Sequence, residues 1–165
     1  MFGIILPAVA LVIGITGLIY LKKGPVFLPI RKQDLTEMVK SLDIKPGDRA
    51  VDLGSGDGRI VIEMAKAGAE AHGYEYNPLL VWWSRLKIKK AGLSSKAFIH
   101  RADFWRRDLS EFSVITVFGI NYIMGRLEKK IAKEALPGLR IASYIFSFPT
   151  LKIFKKEHGV YFYKV

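Results

Sequence analysis

The sequence predicts an α/β chain built on a mostly parallel sheet of seven strands and preceded by a membrane-spanning helix. Three observations carry this. From residue 49 onward, short β-type runs alternate with stretches of helical periodicity, the pattern of strand–helix–strand units with right-handed crossovers. A glycine-rich stretch, Gly54-Ser55-Gly56-Asp57-Gly58, separates the first β-type run from the helix that follows. Met1–Leu21, in contrast, carries no charged side chain at all.

That first segment is long enough to cross a bilayer, since 21 residues rising about 1.5 Å each cover roughly 31 Å. No basic stretch precedes Phe2 and no small-x-small site follows Leu18, so an uncleaved anchor is expected rather than a signal peptide. Lys22, Lys23, Arg31 and Lys32 all follow the span. The positive-inside rule then places the remainder in the cytoplasm, or in the matrix if the membrane is mitochondrial. Three regions result: an anchor over 1–23, a connector and short helix over 24–48, and a globular domain over 49–165.

Each later element has a local signal. Gly24–Ile30 (GPVFLPI) is apolar and stiffened by two prolines, so it is expected to pack on the domain or the bilayer. Leu35, Met38, Val39 and Leu42 recur at helical spacing within 34–42, and Lys45-Pro46-Gly47-Asp48 breaks the chain. Strands follow at 49–53, 69–76, 97–101, 114–118, 140–146, 151–154 and 160–165. Helices are expected at 60–66, 78–91 and 126–136, closed by Gly68, Gly92 and Pro137-Gly138. A turn over 155–159 joins the last two strands and suggests that the final strand inserts antiparallel at one edge. Of Trp82 and Trp83, one is expected in the core and the other at the surface or facing a membrane. Trp105 with Arg106 and Arg107 reads as a solvated basic loop.

Composition narrows the chemistry. The chain has no cysteine, which excludes disulfides, thiolate metal sites and thiol nucleophiles. His72, His100 and His158 are far apart in sequence, and no metal is expected. The 26 Lys+Arg exceed the 15 Asp+Glu by 11, which suits an anionic membrane surface as partner. Nucleic acid is disfavoured, because no aromatic–basic, zinc-finger or helix-turn-helix pattern accompanies the charge.

The glycine loop sits at the carboxyl end of the first strand, where open α/β sheets bind ligands. It is not a phosphate-binding P-loop, because Arg59 and Ile60 stand where Lys and Ser/Thr are needed. A dinucleotide loop is disfavoured by Arg59, three residues after Gly56. What remains is Gly54, Gly56 and Gly58 with Asp52 just before them, an arrangement that repels pyrophosphate and suits a ligand bearing cationic groups. S-adenosylmethionine is such a ligand. Glu75, ending the second strand, is placed to hold a ribose diol. Asp103 can accept from an adenine amino group, with Phe104 or Tyr76 against the ring.

With VDLGSGDGR at 51–59, GYEYNP at 73–78 and HRADFW at 100–105, the chain resembles the class I S-adenosylmethionine-dependent methyltransferases. That likeness implies a Rossmann-like seven-stranded sheet. The order of apolar anchor, GPVFLPI, DLGSGDGRIVI, GYEYNPLLV, ADFW, VFGI before RLEKKI, and FSFP is similar to the ATP synthase c-subunit and adenine nucleotide translocase lysine methyltransferase family. The resemblance implies a membrane-bound enzyme that methylates lysines of integral membrane proteins, with S-adenosylhomocysteine as the product. It also implies that the segment before the domain helps close the pocket, here Pro25, Phe27 and Pro29. No targeting extension precedes the anchor, which suggests a prokaryotic relative.

A lysine nucleophile must arrive neutral, and an apolar channel would favour that form. Gly119, Asn121 and Tyr122, after the fourth strand, are expected to line the channel, with Asn121 as a substrate contact. Asp57 is placed either to accept the incoming ammonium or to cap the next helix. A methyltransferase acting on lipid, small molecule or RNA, or a non-catalytic binding module, stand as alternatives.

Overall fold

A computed structural model of the chain describes residues 29–165. The expected anchor at 1–23, together with Pro25 and Phe27, lies outside the described residues. No helix among the described residues is long and apolar enough to cross a membrane.

The chain runs α1 (Lys32–Ser41), β1 (Arg49–Leu53), α2 (Arg59–Lys66), β2 (Glu70–Glu75), α3 (Pro78–Lys90), β3 (Ala97–Arg101), a 3₁₀ turn (Phe104–Arg106), β4 (Val114–Val117), α4 (Asn121–Glu134), β5 (Arg140–Tyr144), β6 (Lys155–Glu157) and β7 (Val160–Lys164). The sheet order is β3-β2-β1-β4-β5-β7-β6. The first five strands are parallel neighbours, whereas β7 pairs antiparallel with both β5 and β6. This is the Rossmann-like class I methyltransferase topology, and the final strand does insert antiparallel, one place in from the edge.

Period-2 alternation sends successive strand residues to two cores. Ala50, Ala71, Ala97, Ile99, Val114 and Ala142 face α1, α2 and α3. Val51, Leu53, Ile115, Val117 and Ile141 face Met124, Leu127 and Ile131 of α4, with Leu109 and Phe112. The small alanines on the first face let three helices approach closely. On the second face α4 is the one long helix among the described residues, and rings cover the β2–β3 corner. There His72 lies within 3.0 Å of His100 and stacks on Phe98. Strand pairing has thus joined two histidines that are 28 residues apart in sequence.

Two elements differ from expectation by more than two residues. α4 begins at Asn121, five residues before the expected start. Gly119 gives the turn into it room, since a Cβ there would lie 2.7 Å from Met124 Sδ. The sixth strand is Lys155–Glu157, where a turn was expected, and 151–154 is not a strand. Its three charged residues, Lys155, Lys156 and Glu157, mark a sheet edge, while Leu151 packs against the second core instead.

Both tryptophans of α3 face outward, Trp82 at 60% and Trp83 at 49% exposure, so neither is core. The inward face is Val81, Ser84 and Ile88, and at 100° per residue both indoles fall on the opposite side. Trp105 is half-buried rather than solvated, with Phe104 at 4.7 Å and the Arg126 guanidinium 4.1 Å above its ring.

The start of the described chain is fixed by a buried polar contact. Tyr144 of β5 donates to Asp34 of α1 at 2.6 Å, and Arg31 donates to the same carboxylate at 2.9 Å. The Tyr144 bond and the Arg31 charge hold the Asp34 carboxyl below its ordinary value against the opposing effect of burial. Tyr144→Phe leaves a buried carboxylate with one fewer donor and is expected to destabilise the fold by about 1–2 kcal/mol in urea unfolding.

Candidate active site

The site is built by a turn that the sheet forces. Gly54 and Ser55 N–H both donate to the Tyr74 carbonyl, at 2.9 and 3.0 Å, so the chain leaves β1 by crossing over the end of β2. Gly54, Gly56 and Gly58 all have positive φ, at 84°, 52° and 76°, which glycine adopts without penalty. Gly58 N–H closes the turn on the Ser55 carbonyl at 2.9 Å and caps α2. Glu75 then ties the loop to the next turn: its carboxylate accepts from Gly56 N–H at 2.9 Å and from Asn77 N–H at 2.7 Å.

Gly73 makes room beneath this loop. A Cβ there would lie 2.6 Å from Ser55 Oγ and 2.7 Å from Ile99 Cδ1. Ser55 Oγ is itself buried and has no hydrogen-bond partner among the described residues. Leaving such a hydroxyl bare costs about 1–3 kcal/mol.

The two aspartates of the motif have opposite electrostatics. Asp52 is fully enclosed, and Thr116 of β4 donates to it at 2.8 Å. Burial, opposed by that hydrogen bond but reinforced by the charges of Glu75 and Asp57, pushes its carboxyl up to about 7. Asp57 is equally inaccessible, but Arg59 reaches it at 2.9 and 2.8 Å and Lys87 of α3 at 2.6 Å. Burial pushes Asp57 up, and those two cations outweigh it, leaving the carboxyl below its ordinary range. Arg59 also donates to the Ile30 carbonyl at 3.0 Å, so the loop, α3 and the start of the described chain share one ionic joint.

Other expected site residues are gathered at the same end of the sheet. Asp103 follows β3 and accepts from Trp105 N–H at 3.0 Å, which orients its carboxylate and the Phe104 ring beside it. Tyr76 is exposed next to Glu75. Val117 pairs with Leu53, so Gly119, Asn121 and Tyr122 leave β4 beside the glycine loop. Gly119 is buried, whereas Asn121 and Tyr122 are exposed on the first turn of α4. Pro29 is exposed at the start of the described chain. Sequence reasoning missed Thr116, Ser55 and the Arg59–Lys87 pair as structural partners. A hydroxyl in the middle of Val-Ile-Thr-Val was the available signal for Thr116.

The loop can therefore hold a ligand with both a cation and hydroxyl groups. Asp52 and Glu75 offer acceptors, and Asp103 with Phe104 an acceptor beside an aromatic face. S-adenosylmethionine has this donor set, and the residues present fit it.

Two outcomes follow from the geometry alone. Between pH 3.8 and about 7 the folded chain keeps an Asp52 proton that the unfolded chain has released. This group therefore lowers stability progressively as pH rises through that window, by up to about 4 kcal/mol above it. Asp52→Asn is expected to match the native melting temperature near pH 4 and to exceed it by several degrees at pH 8. Gly73→Ala forces Ser55 out of its seat and is expected to lose about 1–3 kcal/mol in urea unfolding.

Comparison with known proteins agrees with the fold and the loop. The model of the ANTKMT methyltransferase domain matches residues 52–155. The lysine N-methyltransferase of the ATP synthase c-subunit from Rattus norvegicus is 41% identical over 123 residues, covering 74% of this chain and 56% of that protein. The chain spans about half the length of the curated mammalian relatives it matches. A protein-lysine N-methyltransferase of Saccharolobus islandicus is 30% identical over 149 residues, covering 84% of this chain and 92% of that one. Among solved structures, an RNA methyltransferase of Salinibacter ruber in complex with S-adenosyl-L-homocysteine superposes with a TM-score of 0.77 at 29% identity, covering 82% and 91%. A match that begins at Asp52, near the end of β1, and runs from the glycine loop through β5 places this chain in the ANTKMT methyltransferase family, whose cofactor is S-adenosylmethionine.

Proposed function

We propose that the chain is a membrane-anchored protein-lysine N-methyltransferase that moves a methyl group from S-adenosylmethionine to a lysine of a membrane protein. The observation that carries this is the near-complete overlap with the archaeal protein-lysine N-methyltransferase, 92% of that protein, on a loop whose Asp52, Glu75 and three glycines are intact. Support for a membrane acceptor comes from the relative named for the c-subunit of ATP synthase and from the uncharged segment Met1–Leu21. In this reading 1–23 is the anchor, and the catalytic domain lies on the cytoplasmic side, or the matrix side of a mitochondrial membrane.

The cofactor supplies an electrophilic methyl group whose thioether leaving group needs no proton. The protein's work is then binding, alignment and control of the amine. Asp52 in its ionised form attracts the cationic end of the cofactor, Glu75 accepts from the ribose hydroxyls, and Asp103 with Phe104 and Tyr76 receives the adenine. Gly119, Asn121 and Tyr122 border the approach from β4, and the family resemblance assigns closure of the pocket to Pro25, Phe27 and Pro29. Asp57 has its oxygens occupied by Arg59 and Lys87, so it fixes the loop to α3, and acceptance of an incoming ammonium there would require breaking that joint. A lysine amine, ordinarily protonated below about 10.4, loses its proton more readily in an apolar approach. Alignment of the neutral amine behind the methyl group then supplies much of the rate.

A second reading, methyl transfer to RNA, is favoured by the Salinibacter ruber relative and the formal charge of +11. Transfer of label from methyl-labelled S-adenosylmethionine into isolated membranes separates the two. Label is expected in a protease-sensitive band and on lysine after hydrolysis, and Asp52→Ala is expected to lower it at least a hundredfold. Label confined to RNA or to the lipid extract overturns the lysine reading.

A further inference from the structure

Helix α3 is apolar on two opposite faces. Val81, Ser84 and Ile88 point into the core. At 100° per residue, Leu79, Trp82, Trp83 and Leu86 form a stripe on the far side, and it continues into Lys89 and Lys90. Leu79 is 74% exposed and the two indoles 60% and 49%. A helix of a water-surrounded domain normally turns charged side chains outward, so a stripe of two tryptophans and two leucines marks a contact surface.

We propose that this outward face of α3 docks on an anionic lipid surface, with Trp82 and Trp83 at headgroup depth and Lys89 and Lys90 against the lipid charge. The domain would then rest on the bilayer by its own helix, in addition to any anchor. Three observations favour lipid as the occupant. Tryptophan beside leucine and lysine is the composition of interfacial helices, in which amphipathic rings sit between acyl chain and water. Between Glu75 and Asp103 stand Arg85, Lys87, Lys89, Lys90, Lys96 and Arg101 and no acidic residue, complementary to an anionic leaflet. The ionic joint from Ile30 through Arg59 and Asp57 to Lys87 ties the start of the described chain to α3, the helix that carries this face. An RNA strand would use the lysines and could stack on the indoles, but Leu79 and Leu86 in the same stripe offer a base nothing.

This inference rests on the membrane location proposed above and not on lysine as the acceptor. The test uses the full chain in phosphatidylcholine vesicles containing about one-third phosphatidylglycerol, with acyl chains brominated near the headgroup. Emission of the Trp82–Trp83 pair is obtained by subtracting that of a Trp82→Phe/Trp83→Phe variant, which leaves only Trp105. Both rings are exposed, so the variant retains the core. Brominated lipid is expected to reduce the pair's emission at least twofold. The quenching should weaken in pure phosphatidylcholine and in Lys89→Glu/Lys90→Glu, and should survive added poly(U). Chain that floats with the vesicles but keeps its long-wavelength, unquenched emission shows a domain hanging free of the bilayer and overturns the proposal while the anchor stands. Unquenched but blue-shifted emission shows the face covered by residues 1–28 or by a protein, and quenching abolished by poly(U) shows an RNA site; each overturns it. Chain that does not float with vesicles at all overturns both the docking and the membrane location, whatever acceptor the label-transfer experiment finds.

Discussion

The Tyr74 carbonyl is the fixed point of this structure. By accepting from both Gly54 and Ser55 N–H, it makes the chain leave β1 across the end of β2 instead of continuing the strand. Everything at the site is referred to that turn. It sets Gly56 N–H on Glu75, swings Gly58 into the left-handed conformation that starts α2, and aims Arg59 back at Asp57 and at the Ile30 carbonyl. A β1–β2 register shifted by one residue would reverse the faces of Gly73 and Tyr74. Ser55 would then meet a side chain where it now meets none.

The same turn separates the fates of two carboxylates five residues apart. Asp52 remains on the strand, between sheet neighbours that can offer it one hydroxyl and no cation, so burial dominates and its proton is held to about pH 7. Asp57 lies on the loop, where α2 and α3 each deliver a basic side chain, and its charge is stabilised. The fold thus leaves the carboxyl group at the end of β1 with no cationic partner among the described residues, so its negative charge is disfavoured until one arrives. A cationic ligand is what relieves such a charge, which is a physical reason for this loop to bind a sulfonium and not a pyrophosphate.

Most of this was legible from local pattern, because the informative residues are those whose backbone conformation or strand-end position is fixed by chemistry. The positive-φ glycines, the acid before them and the acid ending β2 can be read one by one. Strand positions were also clear, with β1 and β3 matching residue for residue and the fully buried β4 reading as a β-branched run. The failures were of partnership. Nothing in the sequence says that Thr116 faces Asp52, that Lys87 reaches across from α3 to Asp57, or that His72 and His100 meet. Those are consequences of strand order. The expectation for Trp82 and Trp83 failed for a related reason: aromatic residues at helical spacing are normally core, and only the packing shows that Val81, Ser84 and Ile88 already fill the inward face.

The economy of the second sheet face bears on the acceptor. Between β3 and β4 the chain makes only one 3₁₀ turn, and between β5 and β6 it runs without a helix. The second of these loops is held by buried Glu128, which accepts from the N–H of Thr150 and Leu151 and from the Thr150 hydroxyl. It is also held by Tyr163, whose hydroxyl accepts from Phe148 N–H. Ile145, the residue that leaves β5, is a β-branched residue at φ 68°, a conformation that persists only where surrounding bonds dictate it. Those bonds are its own N–H to the Gly159 carbonyl and the Ser143 hydroxyl to the Phe146 carbonyl. Among the described residues, the carboxyl end of the sheet is therefore bordered on this side by loops pinned through buried hydrogen bonds. A rim of this kind agrees with the proposed acceptor, a side chain presented by a larger body that itself completes the enclosure and excludes water.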